Sequence, residues 1–385
     1  MEPLLPEDHK HVLEELATEL VDKSSRLGGR IHPVMQESLG NLVRAMNCYY
    51  SNLIEGHDTH PVDIDRALKG DYASDPKRRN LQLEAQAHIE VQSLIDRGFA
   101  PAPVVSMDFL LWVHAEFCGR LPDELLWVRN PDTGARLRVI PGALRESHVQ
   151  VGRHIPPDPE DLPAFLKRFV EGYQSPHLTR LRKIIATAAS HHRLVWIHPF
   201  LDGNGRVSRL FSYAWLRELG VGSSLWSVAR GLARNVDEYK DVLQVADQPR
   251  RGDLDGRGSL SMAGLERFST FFLKTCVDQV AFMEGLLEPS ELLGRIEIWV
   301  NEEIKAGRLL KGSWPLLREA VIAGEYARGQ SASLTGYQDR QARTVLAKLL
   351  AAGLLVSDTD KGPVRLSFPI SVVERWFPRL YPGLG

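Results

Sequence analysis

The sequence predicts a mainly α-helical chain with one short β-hairpin near its middle and a small α+β module at its C-terminal end. Apolar residues recur at helical spacing through most of the chain up to Leu287. The stretch from Leu137 to Val151 breaks that rhythm with two β-prone runs around Pro141-Gly142. From Glu291 onward, a helical pattern at Trp314 to Ile322, a short helix and turn at Ala332 to Tyr337 and a second helix at Arg340 to Leu350 precede two β-prone runs, Leu354 to Val356 and Val364 to Ser367, around a polar turn.

Leu13, Leu16, Leu20 and Val21 form the first apolar stripe, and Leu39, Leu42, Val43, Met46, Tyr49 and Leu53 the second. Leu81 to Leu94 and Phe109 to Phe117 add two more. Leu137, Val139 and Ile140 then read as one arm of the hairpin, with His148, Val149, Gln150 and Val151 as the other. Pro156 to Glu160 ends that run and starts a helix near Leu162 to Phe169. Leu181, Ile184, Ile185, Ala188, His192 and Val195 make a strong stripe, and Val207, Leu210, Phe211, Ala214, Trp215 and Leu219 another. Gln248 to Ser261, rich in Gly, Arg and Asp, reads as a loop, and helical pattern resumes from Leu265 to Leu287. Pro289-Ser290 marks a boundary. The expected organisation is a helical region over 1–100, a central domain over 101–288 and a C-terminal domain over 289–385.

Composition narrows the class. The chain has 385 residues, 43% hydrophobic and 25% charged, with a formal net charge of -2, so no global charge excess points to nucleic acid or a membrane surface. Cys48, Cys118 and Cys276 are too far apart in sequence for metal-ligand spacing and read as free thiols of a reducing compartment. The charged N-terminal residues lack the apolar core of a signal peptide, and no apolar run reaches the roughly 20 residues of a membrane span. The expected location is the cytoplasm.

The chemistry concentrates in His198-Pro199-Phe200-Leu201-Asp202-Gly203-Asn204-Gly205-Arg206-Val207-Ser208-Arg209. A helical pattern follows at once, so these polar groups sit where a loop enters a helix. Such an N-terminus presents unpaired N–H groups and a partial positive charge to an anion. Gly203 and Gly205 let the backbone approach it closely, and Arg206 and Arg209 add fork-shaped donors matching phosphate oxygens. Asp202 can hold a divalent cation against the same phosphates. His198, with an ordinary pKa near ~6.5, can accept a proton at physiological pH. Phe200 is expected to face the core. A rival reading makes His191, His192 and His198 metal ligands, but their spacing lacks a usual ligand pattern.

This segment resembles the signature of the Fic family, His-Pro-Phe-x-Asp/Glu-Gly-Asn-Gly-Arg-x-x-Arg, at every defined position. Ser208 replaces a Gly found in many relatives and fits an early helical turn. The resemblance implies a Fic-type helical core whose hairpin is a flap, with His148, Val149, Gln150 and Val151 docking a target protein. It implies transfer of AMP from ATP to a Ser, Thr or Tyr hydroxyl, the chain itself included, with release of pyrophosphate. On that template His198 is the general base and Asp202 holds Mg²⁺ or Mn²⁺. Gly203, Asn204 and Gly205 cradle the phosphates, Arg206 and Arg209 bind them, and Asn235 and Tyr239 lie near the adenosine.

Ser51-Asn52-Leu53-Ile54-Glu55-Gly56 resembles the family's inhibitory motif, Ser/Thr-x-x-x-Glu-Gly/Asn. Ser51 and Glu55 share a helical face, Gly56 suits a helix end, and the resemblance implies that Glu55 pairs with Arg209 and keeps the γ-phosphate from it. Three alternatives stay open: a de-AMPylase using Glu55, a nucleotide-sensing transcriptional regulator, and a homodimer. The C-terminal module resembles a winged helix, a fold that serves DNA and protein contacts alike. Its second helix would present Arg340, Gln341, Arg343 and Lys348 to DNA.

Overall fold

The computed structural model describes residues 1–7, 11–130 and 134–382. In chain order the elements are α1 (Val12–Arg30), α2 (Pro33–Ile54), α3 (Pro61–Leu68), α4 (Pro76–Asp96), α5 (Met107–Cys118), β1 (Trp127–Arg129) and β2 (Arg136–Arg138). Then come α6 (Leu162–Tyr173), α7 (Arg180–Ile197), α8 (Asn204–Glu218), α9 (Val228–Arg234), α10 (Val236–Ala246) and α11 (Met262–Leu286). The remainder is α12 (Pro289–Lys305), α13 (Ser313–Ile322), β3 (Glu325–Tyr326), α14 (Ser331–Thr335), α15 (Asp339–Ala351), β4 (Leu355–Val356), β5 (Val364–Leu366) and α16 (Ile370–Trp376). No helix among the described residues is long and apolar enough to cross a membrane.

The chain divides into two compact units, one of residues 1–24 and 47–280, the other of residues 25–46 and 281–385. Pro289 opens α12 and lies inside the second unit. Residues 25–46 group with the C-terminal residues, an association between distant stretches that a linear division cannot express.

In the first unit, α7 and α8 form a helical hairpin at the centre of the core. Phe109, Phe169, Phe211 and Trp215 are buried together there, with ring centroids 5.7–6.3 Å apart for Phe109–Phe211, Phe169–Phe211 and Phe211–Trp215. Phe200 is fully buried and stacks on His114 at 3.9 Å with ring planes within 6°, which fixes the loop between α7 and α8 from below. The N-terminal segment belongs to this core as well. Leu4 is buried, its carbonyl accepts from the Tyr173 hydroxyl at 2.7 Å, and the Arg193 guanidinium donates to the Pro3 carbonyl.

The hairpin differs from the sequence expectation. Its strands are β1 and β2, antiparallel with Trp127 opposite Arg138 and Arg129 opposite Arg136. The intervening Asn130-Pro131-Asp132-Thr133-Gly134 is a stronger turn signal than Pro141-Gly142. Arg136 lies over the Trp127 ring at 4.9 Å, and Arg138 pairs with Asp123 at 2.8 Å. Residues 148–151 do not pair with 137–140. They run as an extended loop with one bridge between Val151 and His154. The reason is Arg145, whose buried side chain draws this loop onto the α7–α8 connection instead of onto β2.

In the second unit, α13 and α15 pack against a three-stranded antiparallel sheet ordered β3-β5-β4, and α14 packs on those two helices. Leu316, Leu317 and Ala320 of α13, Val345 and Leu349 of α15, and Leu355, Val364 and Leu366 of the sheet form its interior. The expected helix, short helix, helix and strand pair are present, and β3 adds a strand too short to register in the sequence.

Phe211→Ala is expected to cost about 3–5 kcal/mol of stability, because it empties the centre of an aromatic cluster. Urea denaturation of the variant checks this, and a loss under about 1 kcal/mol would contradict the packing.

Candidate active site

Helix α7 ends at Ile197. His198 takes a left-handed backbone, φ 50° and ψ 61°, with its N–H still bonded to the Leu194 carbonyl at 3.1 Å. A β-carbon makes that conformation unfavourable, so the turn is held by its surroundings. Asn204 holds it from the other side: its Oδ1 accepts from Phe200 N–H at 2.9 Å and its Nδ2 donates to the Phe200 carbonyl at 2.7 Å. Gly203, at φ 78°, caps α8 in the left-handed region open to glycine. Bonding within α8 starts with Val207 N–H to Gly203 O at 3.0 Å. The amides of Asn204, Gly205 and Arg206 therefore have no acceptor inside the helix and face outward as anion donors. Ser208 bonds back to the Asn204 carbonyl at 2.9 Å without disturbing the turn.

His198 Nδ1 is buried and makes no hydrogen bond of good geometry among the described residues. Burial pushes its pKa down to about 4; the Val195 carbonyl opposes this, and Arg145 and His154 add to it. The ring is thus neutral at physiological pH and available to take a proton. Asp202 is exposed, and its Oδ1 accepts from Gly203 N–H at 2.7 Å. One exposed carboxylate beside a polyphosphate is a donor set that suits Mg²⁺. Among the described residues, no group of three His, Cys, Asp or Glu side chains comes together to hold a metal. His191 is bonded to the Ser212 and Tyr239 hydroxyls at 2.8 Å each, and His192 lies 3.0 Å from Asp247, so the three-histidine metal reading has no geometric support.

Both arginines are buried, Arg206 at 5% and Arg209 at 3% exposure. Arg209 Nε donates to Ser51 Oγ at 2.8 Å, and its Nη2 donates to the Ser51 carbonyl at 3.2 Å and to Glu55 Oε1 at 2.5 Å. Burial pushes the Glu55 carboxyl up, but Arg209 and Arg206 outweigh it and hold the pKa below the usual range. Gly205 makes room for the contact: a β-carbon there would lie 2.3 Å from Glu55 Oε1.

The end of α2 has a Schellman geometry. His57 N–H bonds to Asn52 O at 2.9 Å, Gly56 N–H to Leu53 O at 3.1 Å, and Gly56 has φ 82°. This closure carries His57 to the second arginine cluster, which the sequence reading missed. Arg206 Nη2 lies 3.0 Å from Glu84 Oε2 and 3.0 Å from His57 Nδ1, and His57 Nδ1 lies 2.8 Å from Glu84 Oε2. The hydrogen bond to Glu84 raises the pKa of His57, which favours donation from His57 to Glu84. Arg206 also sits over the Phe117 ring at 5.2 Å.

The remaining sequence candidates make no hydrogen bond to His198, Asp202, Arg206 or Arg209 among the described residues. Asn235 is exposed between α9 and α10, on the rim of a cleft of about 400 Å³ that also involves Glu238, Lys274 and Asp278. Tyr239 is 4% exposed, with its ring against Phe268 and Phe271 in the core. His148, Gln150 and Val151 are exposed on the loop and Val149 is half-buried.

Residues 105–216 match the family model described as Fic/DOC family. The chain carries a Fic domain. It is 44% identical over 214 residues to the Protein adenylyltransferase Fic of Drosophila melanogaster, covering 54% of this chain and 40% of that protein. With the protein of the same name from Drosophila erecta it shares 44% identity over 79 residues, 20% of this chain and 16% of the relative. The chain thus spans less than half the length of these curated relatives. A Fic family protein from Desulfovibrio desulfuricans G20 has a similar fold, with a TM-score of 0.55 at 17% identity, covering 95% of this chain and 98% of that one. Fic-1 from C. elegans gives a TM-score of 0.56 at 18% identity, covering 72% and 74%.

The site also fixes an acid response. His88, His114, His191 and His198 are held by burial at pKa values of about 3, 4, 3 and 4. Unfolding lets each return toward ~6.5, so the unfolded chain binds more protons between about pH 4 and 6.5. His57, with its raised pKa, acts in the opposite sense but is one group against four. The denaturation midpoint in urea is expected to fall steadily from pH 7 to pH 5. A midpoint that holds constant or rises on acidification would contradict these burials.

Proposed function

We propose that this chain transfers AMP from ATP to a Ser, Thr or Tyr hydroxyl of a target protein, with self-modification as a side reaction, and that it rests in an inhibited state. The adenylyltransferase name of the relatives and the Fic domain support the general activity. The observation that carries the inhibition is the contact of Glu55 with Arg209. A guanidinium already bonded to a carboxylate and to Ser51 cannot also bind a γ-phosphate, and a triphosphate seated without that contact lacks the alignment for in-line attack.

With Glu55 withdrawn, the α8 amides and the two arginines would hold the phosphate chain at the helix N-terminus. The neutral His198 takes the proton as the hydroxyl oxygen bonds to the α-phosphorus. The bond from that phosphorus to the bridging oxygen breaks, and pyrophosphate leaves. Asp202 would hold the divalent cation, Mg²⁺ or Mn²⁺, which when bound neutralises phosphate charge. The exposed loop at His148, Val149, Gln150 and Val151 is suited to receive the extended segment that carries the hydroxyl. The cleft at Asn235 is suited to the adenosine, whereas Tyr239 contributes from the core.

His198→Ala is expected to lower labelling from α-³²P-ATP by about 10²–10⁴-fold, and Glu55→Gly to raise self-labelling. Equal labelling by the first variant rejects the base assignment, and no rise in the second rejects the inhibitory role. In the activated variant, the acid limb of the rate profile is expected near pH 4–5, because His198 stays neutral down to about 4. If AMP is instead released from modified protein, and the release is lost in Glu55→Ala, hydrolysis with Glu55 orienting water is the main reaction.

A second reading concerns the C-terminal unit. The order α13, β3, α14, α15, β4, β5 and the sheet order β3-β5-β4 are winged-helix-like. Arg340, Gln341, Arg343 and Lys348 are exposed on α15. This favours contact with a DNA major groove, and a gel shift on genomic fragments that weakens as salt rises is the expected result. No shift at low salt would rule the contact out.

A further inference from the structure

Arg145 is a buried cation whose side chain hydrogen-bonds, among the described residues, to main-chain carbonyls alone. It is 4% exposed. Its Nε donates to the carbonyl of His198 at 2.8 Å, Nη1 to that of Ser147 at 3.0 Å, and Nη2 to that of Pro157 at 2.5 Å. Its own backbone N–H bonds to the Pro199 carbonyl at 3.0 Å. These acceptors come from both flanks of the exposed loop 148–156 and from the first two residues of the signature. A rigid planar fork can reach three divergent oxygens at once, whereas an ammonium is a point donor on a flexible stem.

The placement answers two needs of the site. His198 sits in a left-handed backbone conformation that a residue with a β-carbon adopts only when held, and Arg145 holds its carbonyl and that of the next residue. The loop, which does not pair with β2 along 148–151, is closed at its base by the same guanidinium. We propose that Arg145 is a positioning residue for AMP transfer, a single clamp that fixes the imidazole of His198 relative to the loop that presents the target hydroxyl. The inference rests on the reading of His198 as the base. Arg145 makes no contact with Arg206, Arg209 or the α8 amides among the described bonds, so nucleotide affinity is separate from its role.

The test uses the full chain with Glu55→Gly, compared with the same chain carrying Arg145→Gln, Arg145→Lys or His198→Ala. Arg145→Gln is expected to lower kcat for self-labelling on the order of 10²-fold, with the Kd for a non-hydrolysable ATP analogue unchanged. Arg145→Lys restores part of the rate. Besides burial, the groups that act on the His198 ring are the Val195 carbonyl, Arg145, His154 and, in the unsubstituted chain, Glu55. Losing the Arg145 charge therefore moves the acid limb of the rate profile toward neutrality. If Arg145→Gln does not fold, Arg145→Lys carries the test: reduced kcat at unchanged Kd supports the clamp, and unreduced kcat overturns it. A fall of nucleotide affinity in step with kcat, or an unmoved acid limb, also overturns it. If His198→Ala labels as well as the parent, the base assignment itself fails. If that variant is inactive while Arg145→Gln keeps full kcat, only the clamp fails.

Discussion

Two guanidinium groups, Arg206 and Arg209, are drawn into the interior at the start of one helix, and a buried cation needs acceptors beside it, here carboxylates. Much of the first unit follows from that constraint. The partners come from elements far upstream: Glu55 and Ser51 from α2 for Arg209, Glu84 from α4 with His57 from the turn after α2 for Arg206. Removing one partner strands the charge of the other, so these contacts join the N-terminal helices to the Fic domain more strongly than an exposed ion pair could. An anionic ligand that supplies its own oxygens is the natural competitor for the same guanidinium groups.

The glycines of the signature and of the α2 terminus serve this pairing in different ways. Gly203 provides a left-handed cap, so that α8 starts with its first amides open. Gly205 gives Glu55 space that a β-carbon would occupy. Gly56 ends α2 in a turn that sends Glu55 toward Arg209 and His57 toward Arg206 and Glu84. Around them Asn204, the Phe200–His114 stack and Arg145 hold the connection from three sides. The His114 Nδ1 accepts from Gly142 N–H at 2.9 Å at the ring edge, so one buried ring touches both the signature connection and the start of the loop.

The helices were legible because each buries one face, and a repeating apolar spacing survives in a linear string. The stripes at Leu39–Leu53, Leu181–Val195 and Val207–Leu219 correspond to α2, α7 and α8. The signature was legible because its residues are contiguous. The position of the hairpin is not legible, because Pro141-Gly142 and Asn130-Pro131-Asp132-Thr133-Gly134 are both turn signals. The choice between them was decided by Arg145 and by the Trp127–Arg136 contact, neither of which has a periodicity. Glu84 and His57 escaped notice for a similar reason, since a charged residue on a helical stripe reads as solvated unless its partner is known.

The amino-acid string determined which groups are available: a base, an acid, two arginines and glycines at fixed intervals, ordered so that a loop must run into a helix. Tertiary structure decided which of them meet. Burial set the charge state of His198, the approach of α2 and α4 chose the anions for Arg209 and Arg206, and the Arg145 clamp directed the loop. Local backbone preference acts over a few residues and can be read in order. Desolvation and ion pairing depend on what lies across a packed interior, and sequence distance does not encode that.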